Sequence, residues 1–156
     1  MTKNQSNASK ITYFLVSIIF LICFNLYTAS FLSFISQETS SFLPGLNLNY
    51  MENTGAAFSI LQGSQLFLII FAILAICVIF YYLIKHISEL SMMAIFMVSL
   101  LVCGIACNMY ERISLGFVRD YFEFTFVNFP IFNISDIFIN VSVIVIMYML
   151  LTKNKR

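Results

Sequence analysis

Charged side chains are scarce in this chain: 10% of its 156 residues, against 61% hydrophobic. A soluble domain carries about 25% charged residues. The composition therefore excludes a soluble globular protein and points to an integral membrane protein of one domain. The net charge of +1 gives no argument for nucleic acid, and no such partner is expected. Histidine occurs once, at His86, and aspartate twice, at Asp120 and Asp136. The four cysteines, Cys23, Cys77, Cys103 and Cys107, fall inside apolar segments and read as small apolar residues. Cys103 and Cys107 could share a helix face, but no further ligand joins them, so no metal site is expected. No cofactor is expected either.

What is abundant is long apolar sequence. A membrane span needs about 20 mostly apolar residues. Four segments qualify, at about 11–36, 65–84, 91–110 and 131–151. The first follows a polar start with two lysines, as in a secretory signal. A signal's apolar core is only about 7–15 residues, and this segment is longer and ends in no small-x-small cleavage pattern, so it is expected to be retained. Six of the eight basic residues, Lys3, Lys10, Lys85, Lys153, Lys155 and Arg156, lie on one side of this layout. The positive-inside rule makes that side cytoplasmic. Both termini then face in, and loops 37–64 and 111–130 face out. Arg112 and Arg119 lie on the outer side, against the rule.

In the first outer loop, Leu46, Leu48 and Tyr50 alternate with Asn47 and Asn49, which suggests a short strand. Pro44-Gly45 and Gly55 mark turns. On the third span Gly104, Asn108, Glu111 and Arg112 share a helix face. On the fourth, Asn133, Asp136 and Asn140 form a stripe. The two stripes should face each other, because lipid penalises polar side chains. Asn133 and Asp136 also suit a helix start, as N-cap and third helical position. Yet Ile137 to Leu151 is 15 residues, about 22 Å of helix, against an apolar core of about 30 Å. The span should reach back to about Ile131, which draws Asp136 to the membrane's outer boundary. An ionisable residue there is a functional candidate.

His86, Lys10 and Lys85 lie on the cytoplasmic side and cannot serve chemistry at Asp120 or Asp136. Two carboxylates remain, and a pair of carboxylates suits water-mediated peptide hydrolysis. Close like charges do not both ionise, so one stays protonated. The ionised acid takes a proton from water and the protonated one polarises the scissile carbonyl. Spacing alone leaves proton or cation transport open as well.

Three segments then carry a resemblance. ENTGAAFS (52–59) resembles an N-x-G-A-A-[FW] motif. CNMYERISLGFVRDYF (107–122) resembles G-N-x-x-D-R-x-x-x-G-x-V-x-D-[FY], and FPIFNISD (129–136) resembles F-P-x-F-N-[IV]-[AS]-D. All three are signatures of lipoprotein signal peptidase (signal peptidase II), a bacterial membrane aspartyl protease family. The resemblance covers essentially the whole chain. It implies an all-α membrane fold of four helices, with an extracytoplasmic β-cradle and a short amphipathic helix from the first outer loop. It implies a catalytic pair, Asp120 and Asp136, with supporting or substrate-binding roles for Asn53, Gly55, Asn108, Arg112 and Asn133. The implied substrate is a diacylglyceryl-modified prolipoprotein, cleaved just before its lipidated cysteine by a monomeric enzyme of the cytoplasmic membrane with its site at the outer face. The aromatics Phe117, Tyr121, Phe122, Phe124, Phe126 and Phe129 are expected to anchor at the interface or pack.

The chain departs from that pattern in places. Asn25 and Ala29 stand where the family usually has an acid and a lysine. Cys103 and Cys107 replace glycines, and the third helix is expected to pack further out there. Ile137 and Ser142 replace serine and glycine. Glu111 replaces the usual Asp, and Arg119 stands where an apolar residue is usual, beside Asp120. If Arg119 approached Asp120, it would favour the ionised acid. The alternative to a protease is an inactive paralogue, or a small membrane carrier or scaffold using the same acids structurally.

Overall fold

The computed structural model describes residues 6–56 and 60–153. Ala57, Phe58 and Ser59 of the first motif lie outside the described residues, as do Lys3, Lys155 and Arg156. Four helices dominate: α1 (Asn7–Ile35), α2 (Gln65–His86), α3 (Met92–Leu115) and α4 (Ile134–Lys153). Each is long and apolar enough to cross a membrane. Their ends are set by local chemistry. Ser6 and Ser91 cap α1 and α3 by accepting the main-chain N–H of Ser9 and Ala94 at 3.2 and 3.1 Å. Gly116 ends α3 in the left-handed region (φ 85°), and its N–H bonds the Arg112 carbonyl at 3.2 Å.

The central helix is α3, which packs on α1, α2 and α4. It alone has half of its most apolar stretch buried inside the protein, whereas α2 buries only Leu83. Between α3 and α4 the contact is tight at Gly104. A Cβ there would meet the Ser135 carbonyl at 2.6 Å and Ile139 Cγ1 at 2.8 Å. Cys103 and Cys107 instead fill a core with Leu21, Met97 and Leu100. The departure from glycine is thus absorbed on one face of α3, while Gly104 keeps the other face close to α4. At the far end, buried Lys10 donates Nζ to the carbonyls of Ile87 and Ser88 at 3.0 and 2.9 Å. That ties α1 to the α2–α3 connection and satisfies a charge that burial would otherwise penalise.

A three-stranded antiparallel sheet sits at the opposite end. Its strands are β1 (Ser40–Leu43), β2 (Leu46–Asn53) and β3 (Val118–Phe124), in the order β1-β2-β3. The strand expected around Leu46–Tyr50 is β2, with Leu48 buried. The resemblance placed the cradle in the first outer loop alone. The structure corrects this, because β3 comes from the segment between α3 and α4. VRDYFEF is rich in aromatic residues and largely buried, so it lacks the polar–apolar alternation that marks a half-exposed strand. The short amphipathic helix is not formed by the described residues of that loop. Residues 54–56 and 60–64 make bends and turns, apart from Ala57–Ser59 as noted.

The register of β2 on β3 sets Met51 opposite Asp120 and Asn53 opposite Val118. Three main-chain N–H groups of β3 bond outside the sheet. Tyr121 and Phe122 donate to the Phe132 carbonyl at 3.1 and 2.8 Å, and Arg119 donates to Glu111 Oε2 at 2.8 Å. Phe122, Phe124, Phe129 and Phe132 pack ring against ring beside this junction. Phe126 at the loop tip is exposed.

Candidate active site

The fourth helix starts at Ile134, later than the length argument placed it, because its first turn is closed locally. Asn133 Oδ1 accepts the Asp136 N–H at 3.0 Å, and Asp136 Oδ2 accepts the Asn133 N–H at 3.1 Å. This reciprocal pair is a capping box with an asparagine and an aspartate as its two members. Capping therefore orients Asp136 rather than competing with another role for it. Tyr121, fully buried, adds its hydroxyl as acceptor for the Ile134 N–H at 3.2 Å.

The cap residue also reaches across to β3. Asn133 Nδ2 donates to Asp120 Oδ1 at 2.7 Å and to Asn108 Oδ1 at 3.2 Å. Asn108 Nδ2 donates to Asp136 Oδ1 at 2.8 Å, and Asn53 Nδ2 to Asp120 Oδ2 at 2.9 Å. Both acids are thus held by asparagine amides, and Asn133 touches the two of them. The polar stripes of α3 and α4 face each other through Asn108 and Asn133. Asn53 in turn accepts the Gly55 N–H at 2.8 Å, a tight turn that brings the Gly55 carbonyl to Arg112 Nη2, also at 2.8 Å.

Arg112 Nη1 bonds the Asn108 carbonyl at 3.3 Å, and its Nε is buried without a partner among the described residues. Burial, followed by the nearby Asp136 charge, pushes the Asp120 carboxyl up to about 7. The Asn53 and Asn133 amides and the Arg112 guanidinium act in the opposite direction.

Arg119 does not turn to Asp120. Its Nη2 and Nε donate to Glu111 Oε1 at 2.6 and 2.9 Å, and its Nη1 to Ser33 Oγ at 3.3 Å. Consecutive strand residues point to opposite faces, and here that separates the guanidinium from the acid. Glu111 accordingly leaves the face of Asn108 and Arg112. Asn25, in place of an acid, exchanges two hydrogen bonds with Ser135 next to Asp136, at 3.0 and 3.2 Å. Ala29 packs on Leu48, Tyr121 and Phe122. Tyr121 and Ser135 occupy motif positions, D-[FY] and [AS]-D, but those positions also admit Phe and Ala, so nothing in the sequence signals their hydroxyl roles.

The acids open into a cleft of about 950 Å³. Asn53, Asn108 and Arg112 line it on one side, Phe129 and Pro130 on another, and Ile137, Val141 and Ile144 run down α4. Those three aliphatic residues are also exposed on the helix surface, so the cleft opens sideways along α4. Among the described residues no three His, Cys, Asp or Glu side chains gather as a metal site would require.

The family described as Signal peptidase (SPase) II matches residues 18–152. The chain belongs to that family. Its members are proteases, and this one is a multi-pass membrane protein. The chain is 36% identical over 115 residues to the lipoprotein signal peptidase of Streptococcus pneumoniae (strain ATCC BAA-255 / R6), covering 73% of this chain and 74% of that protein. It is 37% identical over 119 residues to the lipoprotein signal peptidase of Enterococcus faecalis (strain ATCC 700802 / V583), covering 76% and 73%. A solved structure described as a bacterial membrane enzyme determined by the in meso method at 2.3 Å resolution superposes with a TM-score of 0.83. It shares 29% identity over 94% of this chain and 93% of that one. A second such structure, at 1.9 Å resolution, gives a TM-score of 0.76 and 27% identity over 97% of both chains. The four helices and the small sheet are therefore the architecture of bacterial membrane enzymes.

Proposed function

We propose that this chain is a lipoprotein signal peptidase that works as an aspartyl endopeptidase. It removes the signal peptide of a diacylglyceryl-modified prolipoprotein by cutting just before the lipidated cysteine. The observation that carries the reading is the bridge of Asn133 to both Asp120 and Asp136 within a cleft open along α4. Names of the relatives supply the substrate class, and the acids supply the chemistry.

The two carboxyls hold one proton between them, since close like charges do not both ionise. The ionised acid takes a proton from water, and the resulting hydroxide equivalent attacks the scissile carbonyl carbon. The protonated acid donates a hydrogen bond to the carbonyl oxygen as negative charge develops there. Collapse of the tetrahedral intermediate breaks the C–N bond, and the proton passes to the leaving amine. Arg112, whose side chain lines the cleft with both acids, binds a substrate carbonyl. Acyl chains lie along Ile137, Val141 and Ile144, where the apolar wall meets the bilayer.

The lysine-rich end, with Lys10 and Lys85, faces the cytoplasm, so the sheet and the acids face out. The protein acts as one membrane unit and as a monomer. The deciding experiment incubates purified protein with a diacylglyceryl-modified prolipoprotein and with its unlipidated form, and follows cleavage by gel shift. Cleavage of the lipidated form alone supports the reading. Normal processing by Asp120→Asn or Asp136→Asn sinks the aspartyl mechanism, and no cleavage of either substrate by the unaltered protein favours the carrier or scaffold.

A further inference from the structure

We propose that Glu111 and Arg119 form a positioning pair that fixes Asp120 from behind. This inference rests on the aspartyl-protease reading above. Both residues depart from the family pattern, and they depart together. Glu111 lies buried in the last helical stretch of α3, four residues before Leu115. A carboxylate so placed is costly unless paired and fully hydrogen-bonded. Among the described residues its three hydrogen-bond donors all belong to Arg119: the main-chain N–H at 2.8 Å, Nε at 2.9 Å and Nη2 at 2.6 Å.

The main-chain bond matters most for position. It grips the strand one residue before Asp120, while the Phe132 carbonyl grips Tyr121 and Phe122 just after it. Asp120 is thus clamped on both sides along β3. The guanidinium serves a second purpose, neutralising Glu111 and tying the corner to α1 through Ser33. Neither side chain lines the cleft or bonds either acid of the pair, so the effect on chemistry passes through the backbone of β3.

Glutamine at 111 keeps an oxygen for the residue-119 N–H, and leucine does not. Arg119→Leu alone strands a buried carboxylate, and kcat falls about 100-fold, the scale of an ångström-sized misplacement at a reacting group. KM stays within about two-fold, because the lost interaction is not with substrate. Adding Glu111→Gln to Arg119→Leu removes the stranded charge, retains the acceptor and restores kcat to within about ten-fold of the unaltered enzyme. Adding Glu111→Leu instead removes the acceptor, and kcat stays low.

Hydrogen exchange of the β3 amides, read in nanodiscs, follows the same order without reference to activity. The residue-119 amide is protected in the Gln–Leu variant and exchanges in the Leu–Leu variant. The proposal is overturned if the Leu–Leu variant has normal kcat per folded molecule, or if both double variants protect that amide equally. An unaltered enzyme that cleaves no lipidated prolipoprotein, yet shows this exchange pattern, refutes the protease reading while leaving the clamp in place.

Discussion

Asp120 and Asp136 reach the same cleft from different kinds of structure. Asp136 stands in the first turn of a helix and is oriented by residues within its own segment, through the Asn133 capping box. Asp120 stands on a strand, and its carboxylate is held by amides from β2 and from the α4 cap. The main-chain side of Asp136 is set by local sequence, with Asn108 of α3 as its one tertiary amide, whereas Asp120 is set by tertiary assembly throughout. Local placement survives small shifts of neighbouring elements, whereas Asp120 depends on β2, β3, α3 and the α4 cap all being in register.

The largest expected effect ignores that difference. Asp120→Asn and Asp136→Asn each lower kcat at least about 1,000-fold, since each removes an acid–base partner. Equal loss in a single-turnover assay supports a pair acting as a unit; a large inequality breaks it. Next comes Asn133→Ala, the residue common to both acids. It should cost about 100-fold in kcat, together with about 1 kcal/mol of stability from the lost cap, read by thermal unfolding in detergent.

Asn53→Ala and Asn108→Ala separate the two sites, each costing about ten-fold in kcat. Asn53→Ala removes a donor that favours ionised Asp120, so it should also move the alkaline limb of the pH–rate profile upward. An unmoved limb would assign that limb to another group. On the proposed function, with Asp120 as the protonated acid, the limb of the unaltered enzyme should lie at about 7, activity falling as that proton is lost. The stability effect has the same sign. Folded Asp120 binds its proton more tightly than the unfolded acid, whose pKa is about 3.9. Its contribution is therefore fully present below about pH 4 and is lost as pH rises through about 7. Smallest is His86→Ala. Among the described residues His86 meets exposed Glu89 and the Tyr82 ring at the far end, and activity should stay within about two-fold.

The same contrast explains what could be read from the sequence. The α4 cap was legible because Asn133 and Asp136 are three apart in one chain segment. The polar stripes of α3 and α4 were legible for the same reason of helical spacing. β3 was not, because its buried aromatic residues hide the two-residue period, though VRDYFEF between Gly116 and Pro130 has the β-forming composition that could have flagged it. Nor could sequence place Arg119. Its direction depends on strand alternation and on Glu111 arriving from α3, and both are tertiary facts.

Gly104 carries one more consequence. With the Ser135 carbonyl and Ile139 filling the space beside it, the seam between α3 and α4 has no room for a hydrocarbon tail at this level. The cleft instead opens along α4, past Ile137, Val141 and Ile144. On the proposed function, a substrate tethered by its lipid arrives by two-dimensional diffusion along the face of α4 that carries Ile137, Val141 and Ile144. Its scissile bond is then brought to Asp120 and Asp136 from the α4 side by the lipid anchor alone, a plane of approach fixed before the peptide itself is bound.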